Sequence, residues 1–307
     1  MEQSAGEGLE ERRLGATTVL FGDRGGKYPD GNALWVRGGE ESLVIDPSLG
    51  LVARRDRLPR ADRVVNSHCH EDHIAGNHLF PDAPWSVHEA DACGLASLDR
   101  MMEIYGYSGP VGDDFRRVLI EQFHYVARPD AETFADGEVF DLGGGVHVRA
   151  IHAPGHTRGH CVLHIEPDDV LYLGDIDLSS FGPYYGDAWS DLEDFERTLA
   201  AVRVLDARHY ATFHHVGVLD GRDAFLERFD RFAAVIGRRE RRLLEYLEGE
   251  PRSLAEIAEH RFVYRPGDPV PFATPVETRS MAQHLERLLR AGRVREVEAG
   301  RYLAVPG

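Results

Sequence analysis

The chain has 307 residues, 42% of them hydrophobic, and a formal net charge of −17 at pH 7. That length suits one large domain with a small companion, and the apolar share is enough for a buried core. So acidic a surface repels phosphate backbones and anionic bilayers, which argues against nucleic acid and membrane partners. In chain order, the first half reads as short β-strands punctuated by glycine turns. "ATTVLFG", "NALWVRG" and "SLVIDPS" are rich in β-branched and aromatic residues, and "RGGEE" forms a hairpin turn between the last two. "DRVVNS" is another short strand, and "WSVHEADACGLASL" runs from strand into helix. Residues 100–130 break the rhythm and read as an inserted helical cap. Strands return in "EVFDLGGGVHVRAIHAPGH" and in "HCVLHIEPDDVLYLGDIDL", whose two halves are joined by an acidic turn. "SDLEDFERTLAAVRVLDA" has helical spacing and a Ser-capped, acidic start, and "HYATFHHVGV" is a last strand.

From about Gly221 the pattern turns mostly helical. Residues 225–248 form a long amphipathic run. "SLAEIAEH" opens with a capping box of Ser253 and Glu256. "TPVETRSMAQHLERLLRAG" offers Thr274 as N-cap, Pro275 at the first helical position, Glu277 to complete a second capping box, and Gly292 as the stop. "VREVEAGRYLAV" closes as a hairpin turning near Gly300. Helix, helix, long helix, hairpin is the order of a winged helix-turn-helix. The predicted organisation is therefore a domain over residues 1–220 and a winged-helix-like domain over 221–307. From Ile236 onward 13 arginines face 11 acids, about +2, so the remainder carries about −19.

Three cysteines (Cys69, Cys93 and Cys161) make no CxxC pair and no disulfide framework, as expected of a reducing cytoplasm. The N-terminal "MEQSAGEGLEERRLGATTVLFG" lacks the basic start and apolar core of a signal peptide. No apolar run approaches the length of a membrane span.

The densest chemistry lies in "NSHCHEDHIAGNHLF", residues 66–80. His68 and His70, two apart on an extended segment leaving a strand, point to one side. Asp72 and His73 follow where the chain turns into a helix, so one loop can supply two adjacent metals. Imidazole and carboxylate donors suit zinc, and a hydrolytic site leaves a position for water. Further candidates recur at strand ends: His156 in "HAPGHTRGH", Asp175 after Gly174, and the pair His214-His215.

Together, "HCHEDH", "PGHTRGH", "GD" and the late strand-end histidine resemble the ordered motifs of the metallo-β-lactamase superfamily over roughly residues 15–220. The resemblance implies an α/β fold, an αββα sandwich with two metals at one edge of the sheets. His68, His70 and His156 would hold the first metal. Asp72, His73 and a late histidine would hold the second, with Asp175 bridging. Aligning the family's "PGHGPV" with "HHVGV" selects His215, leaving His214 on the other face of the strand. Two divalent ions are implied, zinc foremost with iron or manganese as alternatives, and Asp72 also orients the attacking water. His160 either faces the substrate or hydrogen-bonds the turn. Phe181, Tyr184 and Tyr185 are candidates for an aromatic substrate wall. Thr157 and Cys69 read as structural, and Asp46 in "DPSLG" as part of a turn.

The expected function is a metallohydrolase acting on a small ester, thioester or lactone. The C-terminal domain resembles the one in a glyoxalase II and lactamase-like subgroup, where it walls the site or supports a homodimer. Within the fold, the alternative is a phosphodiesterase or ribonuclease. From another class, the alternative is a winged-helix nucleic-acid-binding regulator using Arg279, Arg287 and Arg290. The arginines are interleaved with Glu277 and Glu286, which opposes that use.

Overall fold

The computed structural model describes residues 10–306. The start of the segment read above as no signal peptide, residues 1–9, lies outside that range.

Seven strands form the first sheet in chain order: β1 (Glu11–Leu14), β2 (Thr17–Leu20), β3 (Ala33–Arg37), β4 (Ser42–Ile45), β5 (Arg63–Val65), β6 (Trp85–His88) and β7 (Glu132–Phe134). The second sheet comprises β8 (Val139–Asp141), β9 (His147–His152), β10 (Cys161–Glu166), β11 (Val170–Tyr172), β12 (His209–Ala211) and β13 (Val218–Asp220), also adjacent in order. Both sheets are mixed: β4 to β7 pair in parallel, as do β11 and β12.

Period-two alternation explains why the strands read as near-continuous apolar runs. Val19, Leu34, Leu43, Ile45 and Val65 pack between the sheets against Val148, Ala150, Leu163 and Tyr172. Their neighbours Leu20, Ala33, Val44 and Val64 point the other way, onto helices at Leu98–Tyr105 and Gly109–Glu121 through Met101, Ile104, Phe115 and Leu119. On the second sheet, Val162, Leu171 and Tyr210 face outward onto helices at Leu192–Arg203 and Arg222–Tyr246. The layers are thus helix, sheet, sheet, helix. Among the described residues no helix is long and apolar enough to cross a membrane.

The helix Arg222–Tyr246 serves two cores. Phe225, Phe229 and Phe232 belong to the cluster under the second sheet. Leu243 instead packs with Leu247, Ile257, Met281, Leu285 and Leu288. Around that smaller core lie helices Leu254–His260 and Ala273–Arg290 and a three-stranded sheet of β14 (Arg252–Ser253), β15 (Val294–Glu298) and β16 (Arg301–Ala304), with β16 central.

Local expectations divide. The Ser253/Glu256 capping box forms with both of its hydrogen bonds. The helix at Leu192 is capped by Asp191, whose side chain accepts from Asp194 N, and not by Ser190. The second capping box is absent: the helix begins at Ala273 after Phe272, with no side-chain cap. Glu277 is fully buried and accepts the main-chain N–H groups of Phe262, Val263 and Tyr264 at 2.8–2.9 Å. Those donors belong to the segment before the helix, and a buried carboxylate satisfies three of them at once. The expected last strand "HYATFHHVGV" stops at Ala211, and a tight turn follows.

Candidate metal centre

Four chain segments meet where strands of both sheets end. After β5 the chain bends at Ser67 and His68, and a single helical turn, Glu71–Ile74, follows with His70 as its extended N-cap residue. Opposite, "APGH" leaves β9, and Gly155 adopts φ +123° with Phe195 backbone only 2.3 Å from where a Cβ would stand. Gly174, after β11, has φ +53°, and a Cβ there would lie 2.6 Å from His160 Nε2. Only glycine fits these two approaches, which deliver His156 and Asp175.

Two buried donor groups result: His68, His70, His156 and Asp175, with one donor atom each mutually within 4.8 Å, and Asp72, His73 and His214 likewise. Asp175 lies between them, 2.8 Å from His73 Nε2, 3.1 Å from His156 Nε2 and 3.7 Å from His214 Nε2. Six of the seven residues named from sequence come together. The seventh is corrected from His215 to His214.

The reason for that correction is the turn. Thr212 N donates to Gly217 O, Val216 N donates to His214 O, and His215 sits at φ +58°. The strand alternation that selected His215 has already ended. His214 is buried, with Nε2 2.9 Å from Asp72 Oδ2, while His215 is exposed and outside the cluster.

Outer partners hold the rings. His73 Nδ1 meets Asp46 Oδ2 at 2.7 Å, His156 Nδ1 donates to Tyr184 O at 3.0 Å, and His214 Nδ1 donates to Gly26 O at 2.8 Å. Each leaves Nε2 facing the cluster, the tautomer a metal ligand needs. His156 Nε2 and His68 Nε2 face each other at 3.2 Å, so at most one proton fits between them. Burial, then the neighbouring imidazoles, push His68 well below its ordinary pKa. For His73, burial pushes down, but Asp175, Asp46 and Asp72 prevail and hold it well above. Burial also opposes protonation of His214, yet its Asp72 hydrogen bond and Asp175 lift it to about 9. Burial raises the Asp175 carboxyl, but His73 and His156 outweigh this and hold it well below the usual range. In the metal-free chain, protons on His73 and His214 balance the ionised Asp72 and Asp175, places that a cation can take. The two clusters of imidazole and carboxylate donors are of the kind that could hold metal ions.

The proposed substrate residues fare differently. His160 is fully buried; Nδ1 donates to Ala153 O, Nε2 accepts from Asp175 N at 3.1 Å, and burial lowers its pKa to about 3. It fixes the loop that carries Asp175 and does not face a substrate. Tyr185 is likewise buried away from the donors, its hydroxyl 2.9 Å from His284 Nε2. Tyr184 stays beside the donors, its hydroxyl donating to Asp187 Oδ1 at 3.0 Å. Phe181 is 37% exposed, its ring 5.7 Å from that of Tyr264. Cys69 is buried, and Thr157 donates to Asp91 Oδ2 at 2.6 Å, which ties the "PGHT" loop to the "HCH" loop.

Sequence reasoning missed several supporting groups. Asp46 gathers Ser67, His73 and Tyr172, all within 2.7 Å. Its only signal is its place at the end of β4, read above simply as a turn. Glu71 is buried between the hydroxyls of Tyr28 and Tyr105, and burial, then Asp72, raise its pKa to about 7. Asp187, remote from every motif, lies beside His70.

A family model described as the metallo-beta-lactamase superfamily matches residues 28–235, more than half of the chain. Acyl-coenzyme A thioesterase MBLAC2 of Homo sapiens is 31% identical over 170 residues, which cover 48% of this chain and 60% of the relative. The chain thus matches less than two thirds of that relative's length. Hydroxyacylglutathione hydrolase of Methylococcus capsulatus is 28% identical over 210 residues, 64% of this chain and 70% of the relative. Among solved structures, a metallo-beta-lactamase family protein from Thermus thermophilus aligns with a TM-score of 0.70 at 22% identity, covering 94% of this chain and 99% of its own. A beta-lactamase domain protein from Burkholderia ambifaria gives 0.67 at 18%, covering 96% and 94%. At identities this low, the structural likeness shows the fold alone.

Proposed function

Because the chain belongs to the metallo-beta-lactamase superfamily, we propose that it is a dinuclear metal-dependent hydrolase of small ester, thioester or lactone substrates, thioesters foremost. The observation that carries this reading is the pair of buried donor groups, already braced from outside, with Asp175 between them. His68, His70 and His156 hold one ion, Asp72, His73 and His214 the other, and Asp175 bridges. Zinc is the proposed metal, with iron or manganese as alternatives. When bound, such ions make a potent water nucleophile available near neutral pH and polarise the carbonyl under attack.

The chain's own residues supply the rest. Burial raises the Asp72 carboxyl, but His73 and the His214 hydrogen bond outweigh it, so Asp72 stays ionised at neutral pH. It is the group proposed to orient the attacking water by accepting a hydrogen bond from it. Tyr184 and Phe181 flank the approach.

The names of MBLAC2 and of the hydroxyacylglutathione hydrolase support a thioester carbonyl. Charge weighs against RNA, because a net −17 opposes a long polyanion. The metal domain is proposed to end near residue 220, with residues 221–307 a winged-helix-like unit anchored by the shared helix Arg222–Tyr246. The three arginines that the nucleic-acid reading invoked are engaged internally. Arg287 pairs with Glu196 at 2.6 Å and with Glu240, Arg290 pairs with Glu193, and Arg279 donates to the carbonyls of Gly186 and Gly106. The nucleic-acid reading thereby loses its contacts.

Protein purified without chelator is expected to carry about two equivalents of transition metal. A panel of acyl thioesters, lactones, β-lactams, bis-p-nitrophenyl phosphate and RNA is expected to show fastest turnover on a thioester. Stoichiometry near zero after reloading with zinc or iron sinks the metal reading, and faster turnover of the phosphodiesters sinks the substrate reading.

A further inference from the structure

The loop that follows Asp175 works on two sides. Over residues 181–192 it crosses the first donor group as a strap. On its inner side, Tyr184 O accepts from His156 Nδ1, and Ser190 Oγ donates to His156 O at 2.7 Å. Asp187, 2% exposed, places Oδ2 3.2 Å from His70 Nε2; the pair is short of an aligned hydrogen bond, and neither atom has any other partner among the described residues. Its Oδ1 is fixed by the hydroxyls of Tyr107 at 3.2 Å and Tyr184 at 3.0 Å. With Nε2 turned to Asp187, Nδ1 is the His70 nitrogen left to face a metal.

On its outer side the strap is held by the C-terminal helices. Buried Arg239 donates to the carbonyls of Pro183 and Phe181. Gln283 donates to Tyr185 O at 2.9 Å and accepts from Leu192 N at 2.6 Å, and His284 meets the Tyr185 hydroxyl. The packing has no slack: a Cβ at Gly182 would stand 2.4 Å from Val235, and one at Gly186 would stand 2.3 Å from Val276. Two donor histidines are therefore braced by a segment held on one side by the metal domain, through Ala188 N to Tyr105 O, Trp189 N to Ile104 O and the Tyr107 hydroxyl, and on the other by the C-terminal helices.

We propose that Asp187 is a positioning residue for His70 and that the C-terminal helices, by clamping the strap at its carbonyls, set the affinity of the His68/His70/His156 group for its metal. This rests on the metal-site reading above. It assigns the C-terminal unit a part in assembling one of the two metal positions while leaving the other to the metal domain. Among the described residues, Asp72, His73 and His214 have no partner on the strap; the outer bonds of the two histidines go to Asp46 and Gly26.

The test is cobalt(II) titration of the metal-free protein, following the two binding phases by visible absorption, on wild type, Asp187→Asn and Gln283→Leu. Loss of an outer partner costs roughly 10–100-fold in metal affinity. Asp187→Asn is expected to weaken one phase by about tenfold or more, leaving the other phase and the metal-free melting temperature unchanged. Gln283→Leu, which touches no donor, is expected to weaken the same phase by a smaller factor. Unchanged affinities in both variants overturn the proposal. So does equal weakening of both phases with a lowered metal-free melting temperature, since that marks a general structural role. Weakening with Asp187→Asn alone overturns the part given to the C-terminal helices. A wild type that binds no cobalt overturns the metal-site reading itself, whereas wild-type binding with unaffected variants overturns only the positioning.

Discussion

His214 and His215 are adjacent in sequence and unequal in space. His214→Ala is expected to weaken the second metal by more than the roughly 10–100-fold typical of an outer partner, and His215→Ala by little. Metal titration of the two variants checks this, and a larger loss for His215→Ala reverses the assignment. The pair marks the limit of what local pattern reveals. His68, His70, Asp72 and His73 were legible because strand exit and helix entry fix their directions within six residues. His156 and Asp175 were legible because each follows a glycine that permits a close approach. His214 was not, since its direction depends on hydrogen bonds between Thr212, His214 and Gly217 that no alternation rule encodes. Asp46, Asp187 and Glu71 were hidden for a related reason: a carboxyl that orients a ligand can come from any segment the fold brings near.

At the scale of elements, strands with two buried faces and helices with apolar stripes were read correctly in kind and order, and failures cluster at their ends. Glu277 shows why. Thr-Pro-Val-Glu carries the spacing of a capping box, yet the same carboxylate serves three N–H groups of a neighbouring segment that sequence spacing does not bring to mind. Glu277→Ala leaves those buried donors unpaired and is expected to cost about 3 kcal/mol or more, with Glu277→Gln in between. Chemical denaturation of the metal-free protein measures it, and a change below about 1 kcal/mol shows that the donors find other partners. Glu240 tests the contact between helices Arg222–Tyr246 and Ala273–Arg290. Its hydrogen bond from His284, and then Arg287, hold its carboxyl down from 4.5 to about 2. A depressed carboxyl contributes stability that is present above the unfolded value and is lost as pH falls through the folded one. Glu240→Gln is therefore expected to melt below wild type at pH 7, with the gap closing as pH drops from about 4.5 toward 2. A gap that does not vary with pH removes the ion pair as its cause.

For the whole molecule, charge and internal pairing bear on partner choice. The long C-terminal helix pairs Arg287 and Arg290 with Glu196 and Glu193 of helix Leu192–Arg203, so these two basic groups are engaged in docking. Random duplex at about 50 mM salt, where phosphate binding is exaggerated, is expected to show no binding by polarisation. Submicromolar, salt-dependent binding revives a nucleic-acid role. The four-layer architecture was implied by the resemblance of the sequence motifs, and the helix, helix, hairpin order after residue 250 was visible in the sequence. Their attachment was not, because periodicity reports which face of a helix is buried and is silent on what buries it. Helix Arg222–Tyr246 reads as one uninterrupted stripe, although its first half belongs to one core and its second half to another.

The donor residues also divide by sheet. His68, His70, Asp72 and His73 leave the end of β5 in the first sheet, while His156, Asp175 and His214 follow β9, β11 and β12 in the second. An ion bound among them would thus be a stitch across the seam of the sandwich, added to the apolar contacts and to polar ties such as Tyr172 to Asp46 and Thr157 to Asp91. Such a stitch draws tighter with supply: free metal at about a thousand times its dissociation constant adds about 4 kcal/mol to the folded state. Scarcity does the reverse, loosening the seam at the mouth of the site first. On the proposed metal-site reading, the stability of the fold and the competence of its chemistry would rise and fall together with the metal available to the chain.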